Sequence, residues 1–210
     1  MTTIPATALT FWFEPASTYS YLSAIRIADL ATAAGVAVAW RPFLLGPIFK
    51  AQGWTTSPFN LYPAKGRYMV RDIERIAAER RLAFRLPQPF PAASLLAARL
   101  AVALDGHPHL PDFVRATYLA SFADGRDIAD PGVLADVLGR LGLDAAALLM
   151  RAGGEPVKQA LRDNTEAAMA CGVFGAPTFT ASDGELFWGD DRLEQALAWQ
   201  QRITNHIATN

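Results

Sequence analysis

The chain has 210 residues, of which 51% are hydrophobic and 19% charged, so it can bury a substantial core and is not intrinsically disordered. Its 19 basic and 20 acidic residues leave a net charge of −1, which disfavours nucleic acid and anionic lipid as partners. The sequence has neither an apolar run of the roughly 18 residues that a membrane span needs nor a signal-peptide pattern, so we expect a cytoplasmic protein.

The first forty or so residues predict a β-α-β unit. Residues 7–13 are rich in aromatic and β-branched side chains, which is typical of a buried strand. A helix is predicted from Ser17 to about Ala34, with Gly35 as its stop signal. Val36 to Trp40 predicts a second strand. Because a helix connects the two strands, they are expected to be parallel, with a right-handed crossover.

The segment from Arg41 to Tyr62 is rich in proline, glycine and aromatic residues and predicts a long loop. Such a loop either packs over a core or lines a pocket, and its composition favours neither. A block of helices follows, because apolar residues recur at helical spacing and proline or acidic residues mark the helix starts. The predicted helices span residues 64–82, 92–104, 111–123, 131–141, 144–152 and 155–171.

Strand character returns near the C-terminus. Thr178 to Ala181 and Glu185 to Trp188 predict a hairpin, joined by a Ser-Asp-Gly turn. Asp191 and Glu194 have the spacing of a capping box and predict the start of a last helix. The order of elements predicts an α/β protein with a thioredoxin-like fold and a large all-helical insertion. We expect residues 1–62 and 165–210 to form a discontinuous thioredoxin-like domain, and residues 63–164 the helical insertion.

Three stretches carry residues that can do chemistry, and each has a plain structural alternative. Ser17, at a strand-to-helix junction, either caps the helix or stabilises an anion beside the helix N-terminus. The Ala176-Pro177 bond is either trans in a simple loop or cis, presenting the backbone of Ala176 to an extended ligand. Asp190 and Asp191 either belong to a helix cap or bind an ammonium group.

In a thioredoxin-like fold these three stretches come together, although they are far apart in the sequence. The usual residue at the first turn is a reactive cysteine, but here it is Ser17, and the chain has one cysteine and no CxxC pair. Cys171, in the last helix before the proline loop, is expected to pack as a small apolar residue. A serine cannot exchange disulfides, but it can hold and ionise the thiol of another molecule. Glutathione is the abundant small thiol of the cytoplasm.

Four motifs make the sequence similar to the 2-hydroxychromene-2-carboxylate isomerases, relatives of kappa-class glutathione transferases and of bacterial disulfide oxidoreductases. The resemblance covers nearly the whole chain. The motifs are S-x-x-S-Y-L from Ser17, Lys65 to Tyr68 with Asp72, G-V-F-G-A-P-T-F from Gly172, and W-G-D-D-R-L from Trp188. The chain departs from the family pattern at Thr18, where a proline is common, and at Glu14, where an aspartate is common. Ala176 also replaces a frequent valine.

The resemblance implies a role for individual residues. Ser17 would contact the glutathione sulfur as the catalytic residue, and Ala176 would anchor the cysteinyl part of glutathione. The γ-glutamyl end would be held by Trp188, Gly189, Asp190 and Asp191. Contacts with the organic substrate would come from Phe49, Lys50, Asn60 and Phe90.

The implied function is a glutathione-dependent isomerase that interconverts 2-hydroxychromene-2-carboxylate, or a similar bicyclic aromatic acid, and trans-o-hydroxybenzylidenepyruvate in aromatic-compound degradation. Glutathione acts as a cofactor, and the partners are a small aromatic molecule and, as in many relatives, a second copy of the chain. One alternative is a kappa-class-like glutathione transferase, and another is a non-catalytic thioredoxin-like binding module. We predict no metal site, because the three histidines lack a recognisable further ligand.

Overall fold

The computed structural model describes residues 7–54 and 61–208. The strands are β1 (Leu9–Phe13), β2 (Val38–Pro42), β3 (Thr178–Thr180) and β4 (Leu186–Trp188). The helices are α1 (Thr18–Ala24), α2 (Ile27–Ala34), α3 (Leu45–Ala51), α4 (Pro63–Glu79), α5 (Leu95–Ala103), α6 (Leu110–Phe122), α7 (Pro131–Arg140), α8 (Ala145–Gly153), α9 (Glu155–Ala170) and α10 (Leu193–Ala208), with a 3₁₀ turn at Asp190–Arg192. No helix in these ranges is long and apolar enough to cross a membrane.

The sheet has the strand order β2-β1-β3-β4. β1 and β2 are parallel, so that Phe13 lies opposite Pro42 and both strands end at the same edge. β3 runs antiparallel to β1, and β4 antiparallel to β3. The helices α3 to α9 all lie between β2 and β3, so this is a thioredoxin fold with a helical insertion. The predicted fold class is confirmed.

Strand β1 is buried on both faces, which explains its almost continuous apolar sequence. Since side chains alternate along a strand, Phe11 and Phe13 face the main core, where the Phe11 ring stacks on Phe179 at a centroid distance of 5.4 Å. Trp12 points the other way, into a second core cluster that contains Phe43 and Val173. The turn that follows β1 is therefore anchored by a strand that is fixed from both sides.

The single helix predicted from Ser17 to Ala34 is wrong. The chain forms two helices, α1 and α2, which are separated at Ile25 and Arg26. Arg26 has a non-helical backbone (φ −121°, ψ −16°), and its guanidinium contacts residues of the turn before α10. Gly35 ends α2 in the left-handed conformation, as predicted, with φ 65°.

The predicted loop from Arg41 to Tyr62 also needs correction, because it contains helix α3. Its glycine and proline, Gly46 and Pro47, lie in the first helical turn, where a proline removes no intrahelical hydrogen bond. Ile48 is buried against the second core cluster, so this part of the segment packs over the core. The predicted contact residue Asn60 lies outside the described residues.

The predicted capping box before the last helix is wrong as well. A 3₁₀ turn precedes α10, and the carboxylate of Glu194 accepts hydrogen bonds from Arg26. The hairpin turn before it is as predicted: Gly184 has φ 92°, and the Asp183 carboxylate accepts a hydrogen bond from the Glu185 N–H at 3.1 Å. The Glu194 carboxylate, which a capping box would use, is therefore paired with Arg26.

Candidate functional site

Ser17 occupies the turn between β1 and α1 and makes two side-chain hydrogen bonds. Its Oγ accepts from the N–H of Ser20 at 3.2 Å, which makes it the N-cap of α1. The same Oγ donates to the carbonyl oxygen of Ala176 at 3.2 Å. Ser17 is thus a helix cap and also a neighbour of the proline loop, 159 residues further along the chain. The interpretation of Ser17 as a helix cap is therefore confirmed, and its role towards an anion stays a prediction.

The Ala176-Pro177 bond is cis, in agreement with the cis alternative. The loop around it is held from both ends. Thr178 Oγ1 donates to the carbonyl of Gly175 at 2.8 Å, and the N–H of Gly189 donates to the carbonyl of Pro177 at 3.0 Å. The backbone of Ala176 is therefore placed between Ser17 on one side and the turn at Gly189 on the other. The first predicted stretch contacts the second through Ser17 and Ala176. The third contacts the second through Gly189 and Pro177.

Trp188, the last residue of β4, packs against the proline loop. Its indole packs on Gly175 so closely that a Cβ atom built at Gly175 would lie 2.5 Å from the indole nitrogen. Trp188 is 52% exposed and contacts the exposed ring of Phe174, at a centroid distance of 4.9 Å. The two rings form an exposed aromatic surface beside the proline loop. A Cβ atom at position 175 would therefore displace the indole.

We expect that Gly175→Ala displaces the Trp188 indole and weakens the glutathione binding that the family resemblance implies, with a small effect on stability because the indole is half exposed. The indole N–H resonance of Trp188 and a glutathione titration would measure the two effects. Gly139→Ala is the matched control, since a Cβ at Gly139 meets nothing within 4 Å and alanine favours its helix. An unmoved indole resonance in Gly175→Ala would contradict the expectation.

The two aspartates of the third stretch have different environments. Asp190 is buried, with 3% of its surface exposed, and its carboxylate accepts a hydrogen bond from Ser23 Oγ at 2.9 Å. Arg80 lies 2.7 Å and Arg26 3.3 Å from the same carboxylate. Asp191, by contrast, has a side chain that is 72% exposed and lies beside Arg192. Only Asp191 of this pair presents its carboxylate to solvent.

A second link joins α1 to the motif at the start of α4. The hydroxyl of Tyr19 donates to Asp72 at 3.0 Å, and Arg75 donates to the other oxygen of Asp72 at 2.9 Å. Burial and the contact with Asp72 raise the pKa of Tyr19, so Tyr19 stays protonated and keeps donating. Asp72 therefore fixes α4 against the helix that Ser17 caps. Lys65, in the same motif, is exposed.

Phe90 lines a cavity of about 580 Å³ between one face of α4 and the segment of residues 86–90. Arg67, Arg71 and Glu74 contribute charged groups to this cavity. The predicted contact residues Phe49 and Lys50 lie in α3 and are not among the described residues that line it. A separate cavity of about 660 Å³ lies beside the edge strand β2, and its described lining contains none of the predicted site residues.

Sequence reasoning gave no role to Glu14, which lies in the turn before Ser17. Its side chain is buried, accepts from the N–H of Ala16 at 2.9 Å, and accepts from the hydroxyl of Ser94. Burial raises its pKa to about 7, although the hydrogen bonds from Ser94 and Ala16 act in the opposite direction. The signal that could have found it is an acidic residue placed directly after a strand buried on both faces.

Cysteine and histidine add little to the site. Cys171 is exposed, so the expectation that it packs as a small apolar residue is wrong. It follows the last turn of α9, which ends there, so its side chain reaches solvent and not the core. His107 and His109 lie in an exposed turn. Within residues 7–54 and 61–208, no group of His, Cys, Asp or Glu side chains could hold a metal ion.

The fold and the site define the class: a thioredoxin-fold protein with a helical insertion that has a serine, and no cysteine pair, at its first turn. The chain belongs to the family of DSBA-like thioredoxin domains, whose model matches residues 8–198. It is 32% identical over 188 residues to 2-hydroxychromene-2-carboxylate isomerase of Sphingobium xenophagum, which covers 88% of this chain and 93% of the relative. It is 28% identical over 198 residues to glutathione S-transferase kappa 2 of Caenorhabditis elegans, covering 88% of each chain.

Among solved structures, a 2-hydroxychromene-2-carboxylate isomerase has a TM-score of 0.85 to this chain. The match covers 96% of this chain and 98% of the other, at 23% identity. At that identity the likeness concerns the fold alone, and it includes the helical insertion. The family resemblance inferred from the motifs is confirmed.

Proposed function

We propose that the protein is a glutathione-dependent isomerase that acts on 2-hydroxychromene-2-carboxylate or a similar bicyclic aromatic acid. The observation that carries the proposal is the contact of Ser17 Oγ with the carbonyl of Ala176 at 3.2 Å, in a turn where related oxidoreductases need a cysteine. The Ser17 hydroxyl has a single proton, so on binding it would turn from the Ala176 carbonyl to the thiolate and leave that carbonyl to the cysteinyl N–H of glutathione. The similarity to the Sphingobium isomerase supports the choice of reaction.

In this proposal glutathione lies across the proline loop. Its sulfur contacts Ser17, and the backbone of Ala176 pairs with its cysteinyl part. The γ-glutamyl end lies near Trp188 and Gly189, and its ammonium group pairs with the exposed carboxylate of Asp191. Asp190, which already pairs with two arginines, stabilises the turn from the protein interior. The predicted shared role of the acidic pair is thus divided between the two residues.

The chemistry begins with the thiol, whose ordinary pKa of about 8.5 leaves it mostly protonated at neutral pH. A hydrogen bond from the Ser17 hydroxyl and the free N–H groups at the start of α1 stabilise the thiolate. A fall of two pKa units corresponds to about 2.7 kcal/mol, a reasonable sum for one charge-assisted hydrogen bond and a helix terminus.

The thiolate then adds to one carbon of a carbon–carbon double bond of the ring-opened substrate, and the π electrons move to the adjacent carbonyl oxygen. The former carbon–carbon double bond is now a single bond, and the substrate can rotate about it. When the electrons return, the double bond re-forms with changed geometry and the carbon–sulfur bond breaks. The thiolate leaves unchanged, so glutathione is a cofactor that acts as a borrowed nucleophile.

The organic substrate is proposed to contact Phe90, in the cavity beside α4, and Phe49, Lys50 and Asn60 on the α3 side. We also propose that the protein works in the cytoplasm, in the degradation of aromatic compounds, and that two copies associate as a homodimer. The boundaries of the thioredoxin-like and helical parts, at residues 62 and 165, stay a prediction.

A kappa-class-like transferase is the second candidate function, favoured by the similarity to the Caenorhabditis protein. The transferase would use the same thiolate but release a stable conjugate. A non-catalytic glutathione-binding module is the third candidate. The three differ in what happens to the carbon–sulfur bond, which a product analysis can follow.

We expect that millimolar glutathione raises the melting temperature, because a ligand that binds only the native state stabilises it. We also expect it to support isomerisation of 2-hydroxychromene-2-carboxylate with no net consumption of thiol. Glycine and oxidised glutathione serve as control ligands. A stable thioether formed with chlorodinitrobenzene, without isomerisation, would favour the transferase. A melting shift without turnover of either substrate would favour the binding module, and no shift at all would contradict glutathione binding.

A further inference from the structure

The buried carboxyl group of Glu14 lies in the turn that ends at Ser17 and is not part of the proposed chemistry. We propose that Glu14 is the positioning residue for Ser17, holding the turn of residues 14–17 in the shape that directs the Ser17 hydroxyl. The inference rests on the proposed function, because it concerns the serine that would contact glutathione. It adds a residue that acts through Ser17 and does not touch the ligand.

The hydrogen bonds of the turn converge on Glu14. The N–H of Ala16 donates to its side-chain carboxylate at 2.9 Å, and the N–H of Ser17 donates to its main-chain carbonyl at 2.8 Å. The same carbonyl accepts from the hydroxyl of Tyr118 at 2.8 Å. Since the two residues before α1 both bond to Glu14, loss of its side chain frees the N–H immediately before Ser17. An unpaired buried N–H is unfavourable, so the turn would change shape to satisfy it.

Glu14 also joins the turn to the helical insertion. Ser94, whose hydroxyl donates to the Glu14 carboxylate, lies directly before α5 and four residues after Phe90. Tyr118 belongs to α6. The segment of residues 86–90, whose Phe90 is proposed to contact the substrate, is therefore connected through Ser94 and Glu14 to the turn that carries Ser17. This connection fixes the position of the Phe90 segment relative to Ser17.

The charge of Glu14 can be separated from its shape. Burial raises the pKa of Glu14 to about 7, so its carboxyl group is partly protonated near neutral pH. The titratable group that faces it is Tyr118 on α6, whose pKa is raised by burial and by the charge of Glu14. Ser94, at the start of α5, and Ser20, on α1, are neutral. A charged Glu14 disfavours a thiolate at Ser17, so geometry and charge have opposite effects on the bound thiol.

The test compares Glu14→Gln with Glu14→Ala. Glutamine keeps the shape, because its Oε1 can accept from Ala16 while its amide donates to Ser94, but it removes the charge. We expect Glu14→Ala to raise the pKa of bound glutathione, followed by the ultraviolet absorbance of the thiolate, by about one unit, with turnover at saturation falling about tenfold. Glu14→Gln should stay within about threefold of wild-type turnover and should not raise the thiol pKa.

Glu79→Ala, at an exposed position on α4, is the control for removal of a carboxylate and should match the wild type in both measurements. An unchanged thiol pKa in Glu14→Ala, or equal damage in both Glu14 variants, would overturn the inference. If the wild type binds no glutathione, the proposed function fails on its own. The positioning role is then judged by amide hydrogen exchange at Ala16 and Ser17, which should be faster in Glu14→Ala than in Glu14→Gln; equal rates would overturn it.

Discussion

Replacement of Ser17 by alanine is expected to lower turnover about a hundredfold, the usual effect of removing one hydrogen-bond donor to a developing anion. Without the hydroxyl, the thiolate keeps only the N–H groups at the start of α1. The pKa of bound glutathione should therefore rise toward its ordinary value, by up to about two units. The affinity for glutathione should fall less than turnover does, because its two ends are held elsewhere.

The same substitution removes the N-cap of α1, and that effect must be separated from catalysis. Loss of a cap costs about 1 kcal/mol of stability. Asp144→Ala is a matched control, because Asp144 caps α8 by accepting from the Ala147 N–H at 3.0 Å and is not among the predicted site residues. Both variants should lose stability, Ser17→Ala somewhat more because it also loses the hydrogen bond to the Ala176 carbonyl, but only Ser17→Ala should lose turnover. Wild-type turnover in Ser17→Ala would remove Ser17 from the mechanism.

The parts of the fold that could be predicted from sequence are those determined by local patterns. The apolar run of β1, the glycine that ends α2 and the glycine turn between β3 and β4 each depend on residues close in the chain. The proline before β3 was also informative, because a proline is confined to the start of a strand. The meeting of the three stretches followed from the order of elements alone, since the fold class determines where these junctions lie.

The errors arose where distant residues determine the local structure. The break between α1 and α2 has no glycine or proline, and what distinguishes Arg26 is its contact with Asp190, 164 residues further on. The sequence predicts a loop where α3 forms, because glycine and proline, here Gly46 and Pro47, are typical of loops, although a proline in the first turn is compatible with a helix. The different environments of Asp190 and Asp191 depend on burial, which two adjacent identical residues cannot reveal.

Among substitutions that affect stability, Asp190→Ala is expected to have the largest effect, with a loss of about 3 kcal/mol. Its carboxylate is the shared partner of Ser23, Arg26 and Arg80, which belong to α1, the α1–α2 junction and the end of α4. Removal leaves two guanidinium groups close together without their common anion. The value lies at the lower end for a buried charge network, because the Arg26 and Arg80 side chains are 22% and 29% exposed.

Urea unfolding of the full chain would measure this loss, and the chain offers a matched control. Asp136 also contacts two arginines, Arg126 at 2.6 Å and Arg140 at 3.0 Å, but at a much more exposed place. Asp136→Ala should therefore lose far less stability, and salt should reduce its loss further while changing that of Asp190→Ala little. Asp190→Ala should also weaken glutathione binding, because the turn that presents Asp191 loses its support. Equal losses in the two variants would mean that Glu194, which already pairs with Arg26, and a new partner of Arg80 replace the Asp190 carboxylate, and that burial of Asp190 does not hold the turn.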